Sequence, residues 1–322
     1  SSATSTRSTG SRGGNDDSYE FKSHLYLLYA VLNYMKAIYY GQSEETTYLS
    51  MITQALPRML TLFLSFTQIR EEDLGTAAQR QCTLVAFPSA RTRAPPPMAS
   101  GPYRAIDSLR RAQTECCDTV KLYSSKITPN VWFSCLPQLV SRIEHTHRDT
   151  VETINHIILK VLIAHPKESV WHVAGLLQSL IPARQAIGDD LVRKASASLG
   201  AKGAGDAAML ADAKIFFRNL IDLAVAPAQD KEKKLRWKWP KDIKYERFMV
   251  PMQGILTAIP RSAIQEESNE KSVSSISGIT LTEMYMKNFD EIVDVASSKA
   301  KPKTVYLTTV CGNTIKFLCK QE

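Results

Sequence analysis

The sequence has no long hydrophobic run and no regular arrangement of cysteines. Its longest apolar stretch, residues 59–66, is far shorter than the ~18 residues that a membrane-spanning helix needs. The six cysteines in 322 residues show no C-x-x-C spacing and are too sparse for a disulfide scaffold. The composition therefore predicts no membrane helix, and it favours free, mostly buried thiols in a reducing compartment.

Common catalytic and metal-binding motifs are also missing. There is no Gly-x-Ser-x-Gly elbow and no Walker-type loop, so no motif supports a hydrolase or a P-loop function. His145 and His147 stand close together, but no cysteine or carboxylate accompanies them at ligand spacing, so we expect exposed histidines rather than a metal site. The net charge of +8 is modest for this length and lacks the dense basic stripe of a DNA-coating protein.

The start of the chain carries neither an initiator methionine nor the apolar core of a secretory signal. We therefore expect a piece of a longer protein. Residues 1–18 are rich in Ser, Thr, Gly and Arg and contain no hydrophobic residue to bury, so they are predicted to be disordered.

Residues 19–185 show apolar side chains at three- and four-residue steps, which is typical of helices with one buried face. A helix is predicted over residues 44–67, and Pro57 should end or kink it because proline lacks the N–H group. A proline-rich loop is expected at residues 89–103. Three later stripes consist of Leu136, Leu139, Val140 and Ile143; Val151, Ile154, Ile157, Ile158, Val161 and Leu162; and Val170, Trp171, Val173, Ala174, Leu177 and Leu180.

Short breaks between these stripes make consecutive helices antiparallel neighbours, and no single pair buries its apolar face alone. The predicted fold class is therefore mainly α, a helical-repeat solenoid of the TPR/HEAT type followed by a small β element. Another helical pair is expected over residues 186–228, on either side of the weak segment 200–205.

Residues 229–247 form a basic linker, in which residues 231–247 hold eight basic and three acidic side chains and thus +5 of the chain's +8. Trp237 and Trp239 alternate with cations there. Two interpretations stay open: the stretch binds single-stranded nucleic acid, or it is a linker whose tryptophans pack on the helices.

The last part, residues 248–322, changes to an alternating pattern. Residues 304–310 and 314–319 are strand-like and are joined by Cys311, Gly312 and Asn313, which predicts a β-hairpin. Because a lone hairpin is marginal in water, we expect its sheet partners beyond Glu322.

Several segments together resemble the phosphatidylinositol-kinase-related protein kinases, and among them the ATR-type checkpoint kinases. These segments occur in the same order as in the family. They are QALPRMLTLFL at 54–64, LPQLVSRI at 136–143, His165-Pro166 with Trp171, FMVPMQ at 248–253, and Lys301-Pro302-Lys303. The resemblance implies that residues 19–185 are the C-terminal part of the FAT helical solenoid. It also implies that residues 248–322 begin the N-lobe of a kinase domain.

In that family a hairpin covers the ATP phosphates, and its second strand leads to a lysine that contacts them. The resemblance implies that Lys320 is this lysine and that Thr309, Val310, Cys311 and Gly312 form the hairpin turn near the phosphates. Relatives show Gly-Ser-Asp-Gly in the turn, whereas this chain keeps only the second glycine, which leaves the backbone less room near a phosphate. The alternative for Lys320 is an ordinary solvated lysine at a strand end.

The expected parent protein is an ATP-dependent serine/threonine kinase of DNA-damage and replication-stress checkpoint signalling in the nucleus. The resemblance implies an ATR-interacting partner, recruitment through replication protein A to single-stranded DNA, a homodimer through the FAT and kinase region, and no membrane. The catalytic residues and the Mg²⁺ ligands follow the lysine in this family, so we expect none here and no phosphotransfer from this chain alone. The rival hypothesis is a non-catalytic helical-repeat scaffold or a pseudokinase relative.

Overall fold

A computed structural model describes residues 16–42, 47–70, 103–201, 204–228, 233–251 and 285–320. The predictions for residues 1–15 and 89–102 lie outside this range. The chain divides into two compact units, residues 1–127 with 145–153 and residues 128–144 with 154–322. The helices are α1 (Asp16–Gly41), α2 (Thr47–Gln68), α3 (Tyr103–Lys126), α4 (Pro129–Phe133), α5 (Leu136–Ser141), α6 (Arg148–Ala164), α7 (Pro166–Leu177), α8 (Pro182–Gly200) and α9 (Ala204–Val225).

The described strands follow the helices, and a short 3₁₀ turn lies between the first two of them. They are β1 (Lys234–Arg236), β2 (Met286–Phe289), β3 (Ile292–Val295), β4 (Lys303–Thr309) and β5 (Thr314–Cys319), and the 3₁₀ turn is Tyr245–Arg247. The prediction of a mainly helical chain followed by a small β element is confirmed. Among the described helices, none combines the length and the hydropathy needed to cross a membrane.

In the first unit, α1 packs on α2 and α3 through one apolar face. Leu28, Val31, Met35 and Ile38 of α1 are buried at the three- and four-residue spacing that the sequence predicts. Helix α1 begins at Asp16, so the prediction of disorder through residue 18 is wrong for the last three residues.

Helix α2 runs through Pro57 without ending, so the expected helix end at this residue is absent. Proline costs one backbone hydrogen bond, but Leu56, Met59 and Leu60 around it are fully buried, and their burial outweighs that loss. The Pro57 carbonyl accepts a hydrogen bond from the Thr61 hydroxyl at 2.9 Å.

The three predicted stripes lie on α5, α6 and α7 and on Ile143, two residues beyond α5. Apart from Val151, their residues belong to the second unit. Most of their members are buried, but Leu180 is 94% exposed, so its placement in the third stripe is wrong. Helix α7 ends at Leu177, where the Gln178 N–H closes the last turn on the Ala174 carbonyl at 3.1 Å. Leu180 therefore follows the helix instead of continuing its apolar face.

His165 precedes α7 and is only 6% exposed. Its Nε2–H donates to Oδ1 of Asn130, and its ring meets Phe133 edge-on with centroids 6.1 Å apart. Burial lowers the pKa of His165 below its ordinary value. The folded unit therefore holds this histidine neutral.

We expect the second unit to lose stability as the pH falls below ~6.5, the pKa of an unfolded-chain histidine. A lowered folded-state pKa means that the unfolded chain takes up the proton first, so acid favours unfolding. Urea unfolding at pH 7.5 and 5.5, followed by tryptophan fluorescence, measures the difference, and His165→Gln should reduce it. His156→Gln, on an exposed position of α6, is the control; an equal pH dependence in both variants would contradict the assignment to His165.

The sheet is antiparallel and is built around β4. Strand β5 pairs with β4 along its length, from Lys303–Cys319 to Thr308–Thr314, and thus occupies one edge of β4. Strands β2 and β3 share the other edge, and β1 pairs with β3. The expectation that the hairpin's partners lie beyond Glu322 is therefore wrong, because β1, β2 and β3 supply them. The basic linker is also more than a linker, since it contributes β1.

An aromatic cluster joins this sheet to the helices of its own unit. Phe216 of α9 is fully buried at the centre of the cluster. Its ring centroid lies 4.9–5.9 Å from those of Trp171, Phe217, Tyr245, Phe248 and Phe289. These rings come from α7, α9, the 3₁₀ turn, the residue after that turn and β2, so one packed group fixes the sheet on α7 and α9.

Candidate nucleotide-binding site

The predicted hairpin is present, with its turn between Thr309 and Thr314. Gly312 has a φ of +89°, a left-handed conformation that glycine adopts without the steric cost of a Cβ. The geometry of the turn itself therefore explains why glycine stands at position 312.

Backbone N–H groups of the turn are already used inside the fold. The N–H of Thr309 donates to the Asn313 carbonyl at 2.8 Å, and that of Val310 donates to the Tyr285 carbonyl at 3.0 Å. The N–H of Gly312 donates to the Thr309 carbonyl at 2.9 Å, and that of Asn313 donates to the Thr309 hydroxyl at 3.1 Å. A phosphate cradle needs such donors pointing outward, so these four are committed to shaping the turn.

Lys320 lies at the opposite end of β5 from this turn and is exposed. Strand β5, Thr314–Cys319, separates the two by about 20 Å at ~3.3 Å per residue. That is longer than a triphosphate chain. The structure thus brings Thr309, Val310, Cys311 and Gly312 together but does not bring Lys320 to them.

The loop between β3 and β4 is the neighbour of Lys320. Cys319 pairs with Lys303, so one further step of the antiparallel register puts Lys320 opposite Pro302. Residues 296–302 form a tight loop closed by two backbone hydrogen bonds, from Ala296 N–H to the Pro302 carbonyl at 3.0 Å and from Lys301 N–H to the Ser298 carbonyl at 2.9 Å.

Three polar side chains of this loop, on Ser297, Ser298 and Lys299, are exposed at the same end of the sheet as Lys320. Sequence reasoning missed them because it looked for the phosphate contacts in the turn after β4. The sequence did contain a signal, Ser-Ser-Lys between two strands. Only the strand register, however, shows that these residues lie at the same end of the sheet as Lys320.

Two other lysines of this region point at a helix end. The Lys301 ammonium donates to the Ala228 carbonyl at 2.8 Å. The Lys303 ammonium donates to the Ala224 and Ala226 carbonyls at 2.9 and 2.7 Å. Lys303 is 2% exposed, and burial lowers its pKa.

The tryptophans of the basic linker are held by the fold. The indole N–H of Trp237 donates to Asn219 at 3.0 Å, and that of Trp239 donates to the Asp290 carbonyl at 2.8 Å. The Trp239 ring stacks on Phe289 with centroids 4.3 Å apart and planes 22° from parallel. These contacts favour the interpretation in which the tryptophans pack, because stacking on bases needs free ring faces.

His145 and His147 are half-buried, so the prediction that they are exposed is wrong. The Nε2–H of His145 donates to the Leu64 carbonyl at 3.1 Å, and its Nδ1 accepts from the His147 N–H at 3.1 Å. Both histidines therefore serve the packing of the first unit. No group of three potential metal-ligating side chains lies together in the described part of the chain.

The five described cysteines are free thiols, as predicted, with Cys82 outside the described residues. Cys116, Cys117 and Cys135 are buried, and burial raises the pKa of Cys117 to about 11. Thiols of this kind stay protonated and are unreactive at neutral pH.

The described residues thus form a helical segment that continues into an antiparallel sheet, with Lys320 exposed just after β5. The family described as "Serine/threonine-protein kinase ATR-like, HEAT repeats" matches residues 115–213. The serine/threonine-protein kinase ATR of Arabidopsis thaliana is 27% identical over 307 residues, and the protein kinase rad3 of Schizosaccharomyces pombe is 23% identical over 313 residues. The predicted resemblance to ATR-type kinases is confirmed.

These matches cover 92% and 96% of this chain but only 10% and 12% of the two relatives. The chain therefore spans about a tenth of the length of the curated relatives it matches. Among solved structures, the FAT and kinase domain of CtTel1 aligns with 95% of the chain and 20% of its own length, at 14% identity and a TM-score of 0.41.

Proposed function

We propose that this chain is the part of a serine/threonine protein kinase in which the helical scaffold meets the nucleotide-binding lobe. The parent protein transfers the γ-phosphoryl group of ATP to serine or threonine side chains in DNA-damage and replication-stress signalling. Two relatives that align with nearly the whole chain are named as protein kinases, which supports the reaction class. The observation that carries the site is the register that sets Lys320 opposite Pro302, beside the exposed loop 296–302.

In this proposal Lys320 contacts the ATP phosphates. Its ammonium neutralises phosphate charge, which builds up on the oxygens during transfer, and a fixed cation there lowers the barrier. Ser297, Ser298 and Lys299 complete the phosphate end, because hydroxyls and a second ammonium suit phosphate oxygens. Of the residues predicted from the resemblance as phosphate contacts, Thr309, Val310 and Gly312 already donate their backbone N–H groups within the sheet and its turn, and the Cys311 thiol contacts the Thr309 hydroxyl.

ATP and Mg²⁺ are the cofactors of the proposed reaction. Mg²⁺ prefers carboxylate oxygens, and the described residues bring no three acidic, histidine or cysteine side chains together. The described residues do not fit a Mg²⁺ site of their own, so the proposal leaves this ion to the catalytic part of the parent kinase. What this segment supplies is the lysine, the loop and the scaffold beneath them.

Location and partners follow the kinase proposal. A checkpoint kinase of this type acts in the nucleus with an ATR-interacting partner, is recruited through replication protein A on single-stranded DNA, and forms a homodimer through its FAT and kinase region. A structure of CtTel1, to which the chain aligns at 14% identity, is described as the FAT and kinase domain of that protein. In this proposal the helices α4–α9 act mechanically, as a support for the kinase.

Phosphotransfer by the native protein tests the proposal. We expect the full-length protein, isolated from its source with an antibody against this chain, to transfer phosphate from labelled ATP to a peptide containing Ser-Gln. A peptide with Ala-Gln is the matched control and should remain unlabelled. The recombinant 322-residue chain should label neither peptide.

The scaffold or pseudokinase alternative predicts a different outcome. It requires that the native protein bind its partners but label neither peptide at any ATP concentration. The transcript downstream of the codon for Glu322 gives an independent check, because a kinase needs a catalytic-loop Asp and Asn and a metal-binding Asp there.

A further inference from the structure

Lys303 is a charged side chain buried inside the second unit. It lies in β4 and is 2% exposed, and its ammonium donates to the carbonyls of Ala224 and Ala226. Those carbonyls are at the end of α9, which finishes at Val225. The last carbonyls of a helix have no intrahelical partner and carry partial negative charge, so a cation is stabilised at this position.

Lys301 reinforces the same contact from the loop. Its ammonium donates to the Ala228 carbonyl at 2.8 Å, just beyond the helix. Its backbone has a φ of +42°, a left-handed conformation that non-glycine residues seldom adopt. The loop therefore accepts a sterically unfavourable backbone where its side chain reaches the helix end.

The strand register connects this contact to Lys320. Lys303 pairs with Cys319, and Thr304 pairs with Leu318, so the start of β4 holds the end of β5 directly. Lys320 is the next residue after Cys319. The backbone of Lys320 is thus one strand pair away from that of Lys303, whose ammonium binds the end of α9.

We infer that Lys303 is a positioning residue that couples the end of α9 to Lys320. The ammonium fixes β4 on the helix, β4 fixes the end of β5, and the end of β5 sets where the Lys320 side chain begins. A shift of α9 is transmitted through this lysine to the phosphate end of the sheet. The structural half of the inference, the coupling of α9 to the end of β5, does not depend on what Lys320 does. The functional half, the effect of this coupling on the reaction with ATP, rests on the proposed role of Lys320.

Amide hydrogen exchange in the full chain tests the structural half. Lys303→Met keeps the apolar stem and removes the ammonium, so exchange should become about tenfold faster both at the end of α9 and at the end of β5, the size expected for a lost charged hydrogen bond. Lys303→Arg should restore slow exchange because it keeps charge and donors. Lys299→Met, an exposed lysine of the same loop, is the control and should exchange like the wild type.

The functional half is read from the native protein as kcat/KM for ATP. Lys303→Met should lower kcat/KM by about tenfold, since a displaced Lys320 loses part of the charge stabilisation proposed for it, and Lys303→Arg should restore it. Faster exchange at α9 alone, with β5 unchanged, would reduce Lys303 to a simple helix cap and overturn the coupling. If the wild type transfers no phosphate, the kinase proposal fails, and the exchange result at β5 still decides the coupling.

Discussion

Replacing Lys320 with methionine is expected to lower kcat/KM for phosphotransfer by the native protein about 10²- to 10³-fold, the loss typical of removing one preorganised charge-stabilising donor. Methionine keeps the length and the apolar stem of the side chain and removes only the ammonium. Because Lys320 is exposed at the end of β5, the substitution leaves the packed sheet intact. Steady-state kinetics with labelled ATP and the Ser-Gln peptide measure the effect.

Lys316→Met is the matched control for this prediction. Lys316 is on the same strand, is also exposed, and sits over the Tyr306 ring at 5.4 Å, a contact that contributes about 0.5–1 kcal/mol at an exposed site. We expect kcat/KM within about twofold of the wild type in this variant, because ~0.4 kcal/mol corresponds to a factor of two. Equal losses in the two variants would reject a specific phosphate contact by Lys320.

Truncation of Phe216 is expected to have the largest effect on stability. Phe216→Ala leaves a cavity at the centre of the aromatic cluster and should destabilise the second unit by about 3–5 kcal/mol. That is a large part of the ~5–15 kcal/mol that stabilises a typical domain. The sheet should become detached from α7 and α9, because the cluster joins them.

Tryptophan fluorescence during urea unfolding reports on this prediction selectively. All four tryptophans, Trp132, Trp171, Trp237 and Trp239, belong to the second unit. Ile215→Ala provides the control on the neighbouring residue, which is 58% exposed, and its effect should stay near 0.5 kcal/mol. A similar unfolding midpoint for Phe216→Ala and Ile215→Ala would show that the cluster does not hold this unit together.

The helices and the hairpin could be predicted from the sequence because their signals are local. A buried face repeats every three or four residues, as in Ile154, Ile157, Ile158 and Val161 of α6. The turn at Gly312 could also be predicted from the local sequence, because glycine is the residue that best adopts a positive φ, and the φ found there is +89°. Whether a helix continues, as at Pro57, or stops, as before Leu180, depends on the burial of neighbouring residues, and a short window of sequence does not contain that burial.

The sequence by itself determined the class of the protein: a helical repeat that leads into a small sheet, with a lysine at the position that resembles a phosphate contact. Tertiary structure alone decided which residues stand beside that lysine. Strand pairing, which depends on hydrogen bonds between residues distant in the chain, put Lys320 one step beyond the Lys303–Cys319 pair and far from Gly312. Tertiary structure also decided that Lys303 is a buried cation at the end of α9. A buried charge is stable only where polar groups meet it, and here the carbonyls of Ala224 and Ala226 do so.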